Sequence, residues 1–226
     1  RISLREAINA ANGTTNGSGG TVPDRIVFAI PTSDANHFYY RDNGVAGSFA
    51  TAVTTTLPDA QISDFDADYA AGSARSWYRI SLSGSNLDVT EALVIDGSTQ
   101  AGYTAGNPVI EINAAGVNSP AGDFNAIALT TGASTIRGLV INRAGDNAIE
   151  VDTGASNSVV VGNYLGTDVS GTQALGNSTI GTWGAIGIKA NNVVVGGTAA
   201  GDRNLISGNN GYGIELYNSA SGALIQ

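Results

Sequence analysis

Two carboxylates occupy matching places in the sequence. Glu150 is the middle residue of Ile149-Glu150-Val151, Glu215 is the middle residue of Ile214-Glu215-Leu216, and Ile186-Gly187-Ile188 is a third copy between them. If the three runs stack as parallel strands about 4.8 Å apart, the two carboxylates stand roughly 9–10 Å apart. That separation is near the one inverting glycosidases use. The simpler reading is that Glu keeps the solvent face of each strand polar. A second arrangement puts Arg137 and Arg143 near Asp146 and Glu150. An arginine base with acids beside it is what a polysaccharide lyase needs to lift the proton next to a uronic carboxylate. If the chain is an enzyme, its catalytic residues are therefore Arg137, Arg143, Asp146, Glu150 and Glu215. Net charge −9 opposes an anionic uronate chain, and the sequence favours a non-catalytic role.

Asp64-Phe65-Asp66-Ala67-Asp68 carries alternate carboxylates able to converge on a hard cation such as Ca²⁺. An EF-hand also needs Gly at the sixth position and Glu at the twelfth. Those positions hold Tyr69 and Arg75, so a solvated acidic loop is the competing reading. Glycan binding would use aromatic faces, and the candidates are Tyr39, Tyr40, Trp77, Tyr78 and Trp183. The competing reading is a satellite core that folds the aromatic-rich segment onto the rest of the chain.

Composition removes several other classes. The 226 residues hold 10 basic and 19 acidic side chains, Lys189 is the only lysine, and no basic run exists. Nucleic-acid binding needs clustered Lys and Arg, so it is disfavoured, and an anionic membrane surface is disfavoured with it. No cysteine is present and His37 is the only histidine, which excludes disulfides, thiolate nucleophiles and histidine-rich metal sites. No apolar run reaches membrane-spanning length, so no membrane insertion is expected. The absence of an initiator Met at Arg1 reads as a piece excised from a larger protein, with neighbouring domains of that parent as partners.

The elements that would position these residues follow from periodicity. Ser3-Leu4-Arg5-Glu6 is a capping box, and Leu4, Ala7, Ile8 and Ala11 form one helical stripe over residues 1–12. Arg25 to Ile30 reads as a strand closed by Pro31. Residues 32–76 lack periodicity and are expected to be an insertion. From 78 to 226 short β-branched runs recur. Ile127-Ala128-Leu129, Ile149-Glu150-Val151, Ile186-Gly187-Ile188 and Ile214-Glu215-Leu216 are each followed by a second run bounded by Gly or Asn. The base period is about 22 residues, which fits one turn of a parallel solenoid. Asn142, Asn163 and Asn209 recur beside the second run, where an Asn side chain can bond to the coil above and below.

Ser3-Leu4-Arg5-Glu6-Ala7-Ile8-Asn9-Ala10-Ala11-Asn12 resembles the C-S-L-R-E-A opening motif of a bacterial right-handed parallel β-helix family, with Ile2 where that family often has cysteine. Ile95-Asp96-Gly97-Ser98-Thr99-Gln100-Ala101-Gly102-Tyr103, Thr135-Ile136-Arg137-Gly138-Leu139-Val140-Ile141-Asn142 and the stretch from Gly196 to Asn209 extend the likeness over most of the chain. The resemblance implies modules of large secreted or cell-surface, adhesin-like proteins. The combined expectation is an all-β, right-handed parallel β-helix in a single domain, with an N-terminal capping helix and an aromatic-rich insertion. Its expected role is a non-catalytic rod or adhesion module on the bacterial surface, binding a glycan or another surface partner. The alternatives are a polysaccharide lyase or glycoside hydrolase, and a self-assembling filament subunit.

Overall fold

The computed structural model describes residues 2–17, 22–49, 51–69, 74–119, 122–181, 183–217 and 220–226. Part of the Gly13 to Val22 loop and parts of the 32–76 segment therefore lie outside the described residues. One α-helix, α1 (Leu4–Asn12), opens the chain. The capping box forms: Glu6 N–H donates to Ser3 Oγ at 3.2 Å, and Ser3 N–H donates to Glu6 Oε2 at 2.8 Å. The stripe buries Leu4 and Ile8.

Three sheets follow. The six-stranded sheet runs in the order β1 (Asp24–Val27), β6 (Leu93–Asp96), β9 (Thr135–Arg137), β12 (Val159–Val161), β15 (Val194–Val195), β18 (Leu224–Ile225). The seven-stranded sheet runs β16 (Leu205–Ile206), β13 (Tyr164–Leu165), β10 (Val140–Asn142), β7 (Ile110–Val117), β4 (Ser76–Gly84), β2 (His37–Tyr40), β3 (Ala52–Thr54). The five-stranded sheet runs β17 (Tyr212–Leu216), β14 (Gly184–Ile188), β11 (Ile149–Gly154), β8 (Ile127–Thr131), β5 (Leu87–Val89). From β4 onward the chain visits the three sheets in rotation. Among the described residues every pairing between these strands is parallel except those of β2, which runs antiparallel to both β3 and β4.

This corrects the expectation of an all-β, right-handed parallel β-helix. The molecule is a mostly-strand fold of α/β type, with three separate, mostly parallel sheets and a helix, and with antiparallel strands extending one of them. The physical reason is that apolar alternation locates strands and their buried face but not the direction of their neighbours. The His37–Tyr40 strand buries alternate residues as the others do, without apolar alternation in its sequence, and it pairs antiparallel.

The core lies between the sheets and is built from in-register stacks. Ile127, Ile149, Ile186 and Ile214 are successive partners in the five-stranded sheet. Ile95, Ile136, Val160 and Val195 are successive partners in the six-stranded sheet. Repeating a β-branched residue at each register position fills the interior with side chains of one shape, each stabilising by about 1.5–3 kcal/mol relative to exposure. The 32–76 segment builds a second apolar cluster in which Tyr69 and Trp77 pack against Phe38, Tyr40 and Phe49. Tyr40 Oη donates to Asp168 Oδ2 at 2.9 Å and so ties that segment to a distant loop. No helix among the described residues is long and apolar enough to cross a membrane.

Candidate functional site

The outward face of the five-stranded sheet gathers the acids. One register row runs Asp88, Ala128, Glu150, Gly187, Glu215. Alternation puts these residues opposite the buried Leu87, Val89, Ile149 and Val151. Small residues alternate with acids along the row, which leaves room above Ala128 and Gly187. Asn147 uses that room: a Cβ on Gly187 would meet the Asn147 side chain at 2.9 Å.

The turns leading into β8 and β11 add a second row. Asn125 Nδ2 donates to Asp123 Oδ1 at 2.6 Å and also to Glu150 Oε2. Asn86 Nδ2 donates to Asp88 Oδ1 at 2.8 Å and to Asp123 Oδ2 at 3.3 Å. Asn147 N–H donates to Asn125 Oδ1 at 2.9 Å, and Phe124 N–H donates to Asp146 Oδ2 at 3.2 Å. The result is a continuous carboxylate–carboxamide network from Asp88 to Glu150. Lys189, on the neighbouring strand's exit, pairs with Glu150. At the other end Tyr217 Oη and Gly184 N–H both donate to Glu215 Oε2, the latter at 3.2 Å. Trp183 lies 6.3 Å from the Tyr217 ring and is 46% exposed.

Crowding of acids shows in their titration. Burial pushes the Asp123 carboxyl above the usual range, and the charges of Asp88 and Asp146 add to it. Burial does the same to Asp146, helped by Glu150. Burial works to lower the Lys189 ammonium, but the hydrogen bond and charge of Glu150 outweigh it and hold the pKa high. Tyr217 is raised by burial and by its bond to Glu215.

The five catalytic candidates from the sequence separate. Asp146 and Glu150 are neighbours on this face, and Glu215 lies two strands along from Glu150. The two arginines are elsewhere. Arg137 Nε sits 3.6 Å from the buried Asp96 Oδ1 in the six-stranded sheet. Arg143, at φ 60° just after β10, reaches the buried Glu111 Oε1 at 3.3 Å in the seven-stranded sheet. Neither supplies a base to the acidic face.

Of the five aromatic candidates, four are taken into the interior. Tyr39, Trp77 and Tyr78 are buried, and Tyr40 is packed among Trp77, Tyr69 and Phe49. Tyr78 also stacks on His37 at 4.4 Å. Only Trp183 offers an open ring face. The Asp64, Asp66 and Asp68 carboxylates turn to separate partners: Asp64 to Arg41 and Tyr39, Asp66 to the Asp68 N–H, and Asp68 to the N–H groups of Gly47 and Ser48. Among the described residues no group of three acids or histidines is placed to hold a metal ion.

Sequence reasoning missed Asp88, Asp123, Asn125, Asn147, Lys189 and Tyr217. A signal for two of them existed in the repeated Asn125-Ala126-Ile127 and Asn147-Ala148-Ile149, each with an acid one or two residues before it. No model of a known protein family, no curated protein and no solved structure matches this chain.

Proposed function

We propose that the chain is a non-catalytic adhesion module that binds neutral glycans on the outer face of its five-stranded sheet. The observation that carries this reading is the linked network of Asp88, Asp123, Asn125 and Glu150, with Glu215 two strands further along the same register row and bonded to Tyr217, whose ring lies beside the exposed ring of Trp183. Carboxylates accept from sugar hydroxyls, the buried carboxamides of Asn86 and Asn125 hold those carboxylates in place, and an indole face packs on the apolar face of a pyranose. Acids alternate along the row with the small residues Ala128 and Gly187, and Lys189 beside it is already paired with Glu150. An acidic face of this kind repels polyuronates and accepts uncharged sugars.

The setting that fits is a secreted or cell-surface protein of a bacterium, with neighbouring domains of a parent chain as further partners. The resemblance of Ser3 to Asn12 to the opening motif of adhesin-like proteins supports it, as does the excess of acids over bases.

The test is a screen of neutral, amine-bearing and uronic oligosaccharides against the purified chain, reading both retention and loss of the sugar. Retention of neutral sugars without turnover is the expected result. Turnover would replace this reading with a glycoside hydrolase, for which Asp146, its carboxyl raised by burial and by Glu150, is the natural proton donor. Preference for uronic sugars would sink the assignment of this face.

A further inference from the structure

The end of the molecule that carries α1 presents strand edges, and among the described residues α1 hydrogen-bonds along one of them, β5. β5 is the outermost strand of the five-stranded sheet. There Arg5 Nη1 donates to Asn86 O at 2.8 Å and Arg5 Nη2 to Ser85 O at 2.5 Å. Asn12 Nδ2 donates to Asp88 O at 2.8 Å and Asn12 Oδ1 accepts from Thr90 N–H at 2.9 Å. Helix side chains thus stand in for the next strand.

The other edges differ. β1 is the outermost strand of the six-stranded sheet; among the described residues it pairs with β6 and no other strand, and Asn16 Oδ1 takes the N–H of Asp24 at its start. In the seven-stranded sheet β2 covers β4 from Ser76 to Tyr78, and Asn36 O accepts from Arg79 N–H. Beyond that point no strand among the described residues pairs with Ile80 and Ser81 on that side. Between these edges and α1 lies a cavity of about 1030 Å³. Ile26, Ile30 and Ile80 line it from the sheets, and Leu4, Ala7 and Ala11 from the helix.

The core stacks report what is missing there. In the six-stranded sheet Ile95 and Ile136 are fully buried, while Ile26, their in-register continuation, is only half-buried. In the seven-stranded sheet Ile112 and Ile141 are fully buried, while Ile80 is half-buried. Each stack ends at the cavity one side chain short. A compact apolar molecule would fill the space but leave the main-chain edge unpaired. An extended polypeptide meets both needs, since alternate side chains enter the cavity while its backbone pairs with β1.

We propose that this end accepts a β-strand from a partner polypeptide, with aliphatic residues at alternating positions, added to the six-stranded sheet beside β1. The probes are three fluorescein-labelled nine-residue peptides with Val, Ile or Leu at alternating positions and Thr or Lys between. Two controls accompany each: the same peptide N-methylated on the amides of one edge, and a shuffled peptide of equal composition. At least one alternating peptide is expected to bind saturably in fluorescence anisotropy. N-methylation or shuffling should weaken it tenfold or more, because one removes the main-chain donors and the other the matching of side chains to the cavity. Ala7→Glu, which places a charge on the helix wall, should weaken it comparably while the far-ultraviolet spectrum and melting temperature stay unchanged. Absence of saturable binding by all three peptides overturns the proposal. Equal binding of an N-methylated peptide also overturns it, since the cavity would then be taking apolar groups without strand pairing.

Discussion

Asn204 accepts, through its one side-chain oxygen, both the main-chain N–H of Asn163 at 2.9 Å and its side-chain amide at 3.2 Å. Asn163 in turn donates to Ile136 O and accepts from Leu139 N–H, both at 3.0 Å, and Asn204 donates to Val160 O at 2.7 Å. The two residues form a ladder that closes the turns leaving β9 and β12. Asn177 and Asn209 form a second ladder, with Asn177 donating to Ile141 O and Asn209 to Leu165 O. Asn suits this place because its carboxamide carries a separate donor and acceptor on a short stem, so one side chain bonds both a carbonyl and an N–H of a neighbouring turn.

Asn163→Leu keeps the volume and removes both functions, leaving Leu139 N–H buried without its acceptor and Ile136 O, paired with β12, without its side-chain donor. An orphaned buried N–H costs about 1–3 kcal/mol. The variant should lose roughly 1–3 kcal/mol, read from urea unfolding midpoints at constant slope. An unchanged midpoint would remove the ladder from the account of stability.

Of the three recurring Asn in the sequence, Asn163 and Asn209 join the ladders while Asn142 bonds to Glu111 and Thr167 O instead; the helix cap at Ser3 and the in-register Ile149, Ile186 and Ile214 were legible too. Local pattern reports these because each depends on spacing within a few residues. What failed depends on partners far away in the chain. The direction of β2 is set by Ser76–Tyr78, reached only after the segment between them has folded back. The glycan-binding reading of Trp77 fails for the same reason, while the satellite core, the other reading of that segment, is what forms. The placement of Arg137 and Arg143 turned on Asp96 and Glu111, two acids that no spacing rule links to them. The network around Glu150 was half visible: Glu150 and Asp146 lie close in the chain, but Asn125 and Lys189 join them only across sheet pairings.

Glu111 is buried to 1% exposure, and all four of its partners are donors. Trp77 Nε1 and Arg79 Nε reach Oε2 at 2.8 Å each, while Asn142 Nδ2 and Arg143 Nη1 reach Oε1 at 3.1 and 3.3 Å. Glu111→Ala leaves two guanidinium groups facing a void, and a broken buried pair costs about 3–5 kcal/mol. Glu111→Gln should recover less than half of that loss, because its amide nitrogen sets a donor against donors. Denaturant unfolding of the two variants checks the order. Full rescue by Gln would mean that charge is irrelevant at this position.

Two aspartates should respond to pH with opposite signs. The Asp146 carboxyl titrates higher in the folded chain than in the unfolded one, so the folded chain binds more protons between those values. Stability from this group therefore falls as pH rises through that window, and the difference vanishes below the ordinary value of about 3.9. Asp146→Asn, which can still accept from Phe124 N–H, should raise the melting temperature at pH 7 and change nothing near pH 3. At Asp96 burial works to raise the carboxyl, but bonds from Ser98 and Arg25 and the charge of Arg137 outweigh it and lower the pKa. Its stabilisation is present above the unfolded value and is lost as pH falls through the folded one. Asp96→Asn should be less stable than the parent at pH 7, and the gap should close on acidification. Thermal melts of both variants from pH 3 to 7 decide the matter, and parallel curves for the two would show that neither charge is coupled to folding as described.

The two tryptophans separate binding from folding. Trp77 is 1% exposed, its ring lies 4.7 Å from that of Tyr40, and its indole N–H holds Glu111. Trp77→Ala should destabilise by about 3–5 kcal/mol. Trp183 is half-exposed at the end of the acidic row, and its ring touches Tyr217 alone among the described aromatic residues. Trp183→Ala should leave the melting temperature nearly unchanged and weaken retention of a neutral oligosaccharide by roughly tenfold, the loss of about 1.4 kcal/mol of contact. Glu150→Gln on the same face should weaken retention too, because it exchanges an acceptor of sugar hydroxyls for a donor and releases Lys189 from its pair. Isothermal titration with the sugar retained in the screen measures both. If Trp183→Ala binds like the parent while Glu150→Gln does not, the sugar lies over the acids and away from β14. If both bind like the parent, the five-stranded sheet is not the binding face.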